Sequence, residues 1–520
     1  MRNSFSKLFL TTNLFFVSQL FAAERTVSSL DNFSNAPVVT VGGFVNTLSA
    51  FRNQDGAFDQ DRLPDAKVDG SGITDSTYPG THNTMNSNPD FTNESEVHIK
   101  AAGINEFGMK YGAIIELEAD ASTAMLNQGF NADKTFIFTE SRSGKFEFGN
   151  NIGVNQKMSV GPSVFARAAG GINGRYLQYI NLPMLADSTQ LNVSQIGSCG
   201  GFKVNSSGEV QTDSNCNQIK LPSFILIPTS PIRHGGYARS FYDSQKSNSL
   251  SQYYTSETGF NVNRSNIRDG AFGDLEDATK INYYSPRIGG WQLGVSYTPD
   301  TGNSGTSAII SGNNSGDVEN LISWGVNYSS NFGNLGLALS ATGENGKYEQ
   351  SSTTTIKRED LKSYDFGVMA TYFGFTLGGS YGIWGNSLMP TSGIYSCNYD
   401  ASVALGSQNC NASNYSSGVS KFGDANYYTA GVAYEFGPVA ASVTHISSQF
   451  QDNNYKATSF GIDYRMARGL MPYLEVTQYK FESNQPKASD ITDQATLSNS
   501  QRQLKDNDGF VVLVGLLFSF

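Results

Sequence analysis

The chain has 520 residues, a formal net charge of −11 and a mean hydropathy of −0.32. Charged residues make up only 16%, against about a quarter in soluble domains, while aromatics reach 12% and glycine numbers 54. A helical membrane protein is excluded by the lack of long apolar runs beyond the N-terminus, and the acidic balance argues against nucleic acid as a partner.

The chain opens with a basic start at Arg2 and Lys7, an apolar stretch over residues 8–20, and small residues at Ala22 and Ala23. This order predicts a signal peptide over residues 1–23, so residues 24–520 form the exported product. Alternating segments follow. The first spans residues 38–51, and a polar connection rich in aspartate follows it. Residues 94–105 place Val97, Ile99 and Ala101 on one face and Glu96, His98 and Lys100 on the other, because side chains alternate along an extended chain. After the turn at residues 105–108, residues 109–120 repeat the pattern, with Tyr111, Ala113, Ile115 and Leu117 opposite Lys110, Glu116, Glu118 and Asp120. Two such segments joined by a tight turn predict a hairpin.

Further hairpins are expected at 134–141 with 145–149, 277–284 with 291–298, and 321–330 with 335–343. The same pattern recurs at 361–373 with 375–385, 427–436 with 439–449, and 457–466 with 472–481. A last apolar strand, 509–520, ends the chain at Phe520. The total is sixteen strands, with tight turns and long polar connections expected to alternate strictly. A soluble sandwich has no reason to sort its connections in this way. The fold expected is all-β: a transmembrane antiparallel β-barrel whose last strand pairs with the first, because a closed barrel is the only sheet that crosses a bilayer without open edges.

The sequence resembles the general porins of Gram-negative bacteria, in their alphaproteobacterial form. The resemblance covers most of the exported chain. It is carried by VTVGGFVN at 39–46, EFGMKYGAIIELEAD at 106–120, KFEFGN at 145–150 and ATKINYYSPRIGGWQLGVSYTPD at 278–300. It implies a water-filled channel in the outer membrane that passes ions and small hydrophilic solutes by diffusion. It also implies a homotrimer in contact with lipid and lipopolysaccharide, with Phe520 similar to the end signal read by the barrel-assembly machinery. No cofactor is implied.

In that family the third long loop folds into the barrel and usually carries carboxylates opposite basic wall residues. Here the corresponding insertion, at about 151–275, has no Asp or Glu over residues 148–186 but does carry Lys157, Arg167 and Arg175. These three are expected to approach Glu116 and Glu118 at the narrowest point, with Lys100 and His98 on the same wall. Two cysteine pairs, Cys199/Cys216 and Cys397/Cys410, lie in Ser/Asn/Gly-rich connections without histidine at metal-ligand spacing, and are read as loop disulfides of an exported protein.

No catalytic constellation can be assembled around the four histidines, so an outer-membrane hydrolase is the weaker alternative and no enzyme is expected. A barrel serving as a surface adhesin or antigen is the other alternative, to be separated from a channel by conductance.

Overall fold

The computed structural model describes residues 36–54, 89–119, 131–179 apart from 167, 278–301, 318–348, 357–385, 425–450, 453–482 and 507–520, with a few short pieces elsewhere. Sixteen antiparallel strands close into one barrel. In chain order they are β1 (Val38–Gln54), β2 (Asp90–Ile104), β3 (Lys110–Glu118), β4 (Asn131–Ser141), β5 (Gly144–Asn150), β6 (Thr279–Tyr284), β7 (Trp291–Asp300) and β8 (Val318–Phe332). They continue as β9 (Leu335–Tyr348), β10 (Leu361–Tyr372), β11 (Phe375–Gly385), β12 (Ala425–Phe436), β13 (Val439–Phe450), β14 (Asn453–Tyr464), β15 (Leu470–Glu482) and β16 (Asn507–Ser519). Each strand pairs with its neighbours in sequence. The ring closes where β1 pairs with β16, from Phe44 opposite Ser519 to Gln54 opposite Gly509. Phe520 finishes the closure: it and Gly43 exchange both backbone hydrogen bonds, at 3.1 and 3.2 Å.

The expected hairpins are all present, and seven tight turns lie at one end of the barrel. The strict alternation of connection lengths is not. Only residues 451 and 452 separate β13 from β14, so this connection at the opposite end is as short as a tight turn. The cause is local. Residues 450–456, mostly polar, read as a loop, yet the ladder extends to Phe450 and resumes at Asn453, with Gln449 opposite Asn454 and Phe450 opposite Asn453. Polar side chains do not end a strand where the pairing partner continues.

Alternation decides the two faces of the wall. Outward-pointing residues include Val39, Val41, Ile137, Phe146, Phe148, Leu293, Leu377 and Phe460, all exposed on the outside of the barrel as a lipid-facing surface must be. Phe107, Phe332, Phe373, Phe436 and Phe520 gather at the tight-turn end. Aromatic rings in that position form the girdle that such barrels set at the bilayer interface. The inward face is mostly polar, as at Ser296, Thr298, Ser323, Thr342, Ser363, Thr429 and Thr477.

The inward face of β16 departs from that rule, since it carries Val511, Leu513 and Leu517. Val511 and Leu513 are fully buried, and they pack in one apolar cluster with Ile172, Tyr176 and Tyr179 from the segment after β5. Trp384, Tyr427, Tyr455, Tyr473, Tyr479 and Phe481 complete the cluster from the walls of β11, β12, β14 and β15. An inward-folded segment, rather than a subunit contact, covers these apolar residues. Leu513→Ala should therefore lower the unfolding free energy in detergent by about 2–5 kcal/mol. Val514→Ala, on the outward face against detergent, should lower it much less, and equal losses would place the packing elsewhere.

Candidate functional site

The inward segment leaves the wall at Asn151 and is described as far as Tyr179. It holds one short helix, α1 (Val154–Met158), and three single turns of 3₁₀ helix. So short a helix cannot hold itself together, and most of the backbone polar groups in the segment need partners from outside it. The wall supplies them in strand order. Helix α1 lies on β6 to β9, the turn at Pro162–Val164 on β11 and β12, the turn at Gly171–Asn173 on β13 to β15, and the turn at Arg175–Gln178 on β16. The segment thus lines the inside of the barrel as an arc.

Carboxylates of the wall anchor it at four places. Glu147 on β5 is almost fully buried and accepts from Asn151 Nδ2 at 2.7 Å and from Lys157 Nζ at 3.1 Å. Lys145, two residues along the same face, lies 2.7 Å from its other oxygen, and Asn282 Nδ2 donates at 3.1 Å. Glu344 on β9 accepts from Asn155 Nδ2 at 3.0 Å and from Ser363 Oγ at 2.9 Å. Glu475 on β15 accepts from the Gly171 backbone N–H at 3.0 Å. Glu94 on β2 pairs with Arg175. Where the carboxylate faces a cation, as Glu147 and Glu94 do, hydrogen bonds to the ionised group contribute more than neutral ones, about 1.5–3 kcal/mol each.

Neutral and cationic wall groups take up further backbone groups of the segment. Ser296 Oγ accepts from the Val154 N–H at 2.8 Å, and Ser340 Oγ accepts from the Val160 N–H at 2.9 Å. In the other direction, Asn282 donates to Ile152 O at 2.9 Å, Asn46 to Ala168 O at 3.2 Å and Arg52 to Tyr179 O at 3.0 Å. The buried Lys280 ammonium donates to the carbonyls of Asn151 and Ala278, which fixes the point where the segment turns inward. Tyr176 and Tyr455 share a hydroxyl–hydroxyl bond of 2.7 Å, as do Tyr179 and Thr92. Burial pushes the Tyr176 and Tyr179 phenols above their ordinary range, so both remain neutral partners.

Room for the segment comes from glycines on the inward face. Gly294 on β7 and Gly325 on β8 stand opposite one another in the ladder, and a side chain at either would meet Met158. Gly378 on β11 leaves space for Phe165, and Gly461 on β14 for Ala166. At Gly367 on β10 even a methyl group would run into the backbone carbonyl of Val160. These positions are the floor on which the segment rests.

The expected site residues are therefore only partly brought together. Lys157 reaches Glu147, and Arg175 reaches Glu94; neither is held by Glu116 or Glu118 in the way the sequence suggested. Glu116 pairs instead with Lys134, at 2.7 Å, because the two lie opposite each other in the β3–β4 register. Glu118 ends β3 opposite Glu96, whose Oε2 is 2.8 Å from His98 Nε2. Lys100 extends over the Phe138 ring, 5.7 Å from its centre. Arg167 and the signal peptide expected over residues 1–23 lie outside the described residues. So do both expected disulfides, since Cys199, Cys216, Cys397 and Cys410 all fall outside the described residues. Glu147, Glu94, Glu344 and Glu475 were missed. For Glu147 the signal was present: Phe146 and Phe148 point to lipid, so Lys145 and Glu147 must point inward.

The sequence profile of the Gram-negative porin family matches residues 11–223 and 232–484. The chain belongs to the Gram-negative porin family. It is a multi-pass β-barrel protein of the outer membrane. Among curated proteins it is similar to uncharacterised proteins of Rickettsia conorii, 27% identical over 54% of this chain and 66% of the relative, and of Rickettsia prowazekii, 24% identical over 80% and 94%. The chain thus spans about two thirds of the length of the Rickettsia conorii relative. Among solved structures it is similar to an anion-selective porin from Comamonas acidovorans, at 13% identity, TM-score 0.45, and coverage of 93% of this chain and 100% of that one. It is also similar to the outer-membrane protein OmpT of Vibrio cholerae, at 10% identity, TM-score 0.42 and the same coverage.

If the glycine floor seats the segment, Gly367→Ala should cost about 1–3 kcal/mol of stability by overpacking. Gly379→Ala, on the outward face of the neighbouring strand, should cost far less in the same denaturant titration in detergent.

Proposed function

We propose that the protein is a diffusion channel of the outer membrane, passing ions and small hydrophilic solutes through a lumen narrowed by the segment 151–179. The observation that carries this reading is the arc of chain held against the inside of a closed, lipid-facing barrel by buried wall carboxylates. A barrel serving only as a surface anchor has no need of so many inward-facing polar groups on its wall. Membership of the porin family fits a channel rather than an enzyme.

The charge arrangement sets the selectivity in this reading. The cations sit on the segment, at Lys157 and Arg175, and the carboxylates on the wall, at Glu147 and Glu94. Field across a narrow lumen biases which ion passes, and the protein's net charge does not. A homotrimer, contacts with lipopolysaccharide and delivery through Phe520 belong to the same proposal and rest on family membership.

Reconstitution into planar bilayers tests the reading. Stepwise single-channel currents are expected; a folded barrel that inserts without conducting would favour the adhesin or anchor role instead. In the same bilayers Glu147→Gln should shift the reversal potential in a salt gradient toward anions, because Lys145 and Lys157 lose their shared counter-charge. An unmoved reversal potential would remove Glu147 from the conducting path.

A further inference from the structure

Three ligand-type side chains meet on the lumen wall apart from the anchors of the segment. Glu96 and His98 stand two residues apart on β2, and His98 lies directly opposite Glu116 of β3. Alternation puts all three on the inward face. One ligand atom from each lies within 4.8 Å of the others. His98 is 3% exposed and Glu116 4%. One imidazole nitrogen is engaged with Glu96, while the other, Nδ1, is buried without a hydrogen-bond partner. A buried histidine ordinarily satisfies both ring nitrogens.

Two lysines stand near the cluster. Lys134, 2.7 Å from Glu116, offsets one carboxylate, and Lys100 is engaged over Phe138.

We infer that Glu96, His98 and Glu116 form a binding site for a divalent transition-metal ion of the zinc class, set in the channel wall. The donor set is one imidazole and two carboxylates. That is the number and type of protein ligand zinc takes when a fourth position is left to water. Magnesium and calcium need more oxygen ligands than this recess offers. In a tetrahedral zinc shell the ligand atoms stand about 3.4 Å apart, so the glutamate side chains must close by a small rotation while the paired strands hold their spacing. Lys134 competes with the metal for Glu116. The bland alternative is two ordinary ion pairs, His98–Glu96 and Lys134–Glu116, and it makes opposite predictions for Lys134.

Calorimetric titration of the untagged, folded, full-length protein in detergent with zinc chloride decides between them, and does not depend on channel activity. The site predicts one zinc per barrel, undiminished by excess magnesium. His98→Ala should abolish the heat, as should the bulk-conserving His98→Gln if the alanine variant fails to fold. Glu116→Gln should weaken binding. Lys134→Met should tighten it, since the competing cation is gone. No zinc binding by the wild-type protein, an unchanged isotherm in the His98 variant that folds, or weaker binding in Lys134→Met would each overturn the inference.

Discussion

The structure depends on one constraint: a chain segment with little regular structure of its own has to be held inside a barrel whose wall faces it everywhere. A segment carrying no carboxylate between residues 148 and 186 cannot build its own ion pairs. The wall provides the acidic partners: Glu147 and Glu94 pair with Lys157 and Arg175, while Glu344 and Glu475 accept from Asn155 and the Gly171 N–H. A buried carboxylate without partners would be costly, and so would an unpaired backbone amide; each removes the cost of the other. Glycines at 294, 325, 367, 378 and 461 let the backbone come close enough for these bonds to form.

The arc divides the labour along the lumen. Near its start the contacts are polar and charged, around Glu147, Lys280 and Asn282. Near its end an apolar cluster is added, where Ile172, Tyr176 and Tyr179 meet Tyr455, Tyr473, Val511 and Leu513 around the Arg175–Glu94 pair.

Much of the barrel was legible in the sequence because alternation and turn residues act locally. Strand number, the hairpins, closure by the last strand and the lipid-facing stripe of Phe510, Val512, Val514, Leu516, Phe518 and Phe520 all follow from period-two patterning, and all of the stripe but the half-buried Val512 is exposed. The apolar inward face of Val511, Leu513 and Leu517 was legible as an anomaly, but not its cause, because the covering residues lie more than three hundred positions earlier. Pairing across the lumen has no sequence period. Lys157 meets Glu147 and Arg175 meets Glu94 through the path of the segment, which no local pattern records. The short connection between β13 and β14 was misread for the opposite reason: polarity marked residues 450–456 as a loop, whereas the ladder with its neighbour decides where a strand ends.

The most direct measurement is a cross-link between the segment and the far wall. A β-carbon at position 461 on β14 would lie 3.3 Å from that of Ala166, near the separation of about 3.5–4.5 Å that a disulfide spans. In a protein whose four native cysteines are replaced by serine, the pair Ala166→Cys and Gly461→Cys should form a disulfide under mild oxidation in the folded barrel. Residue 166 can reach position 461 only across the lumen. A folded barrel in which both thiols stay free would contradict the inward course of the segment, and with it the account of the wall carboxylates as its anchors.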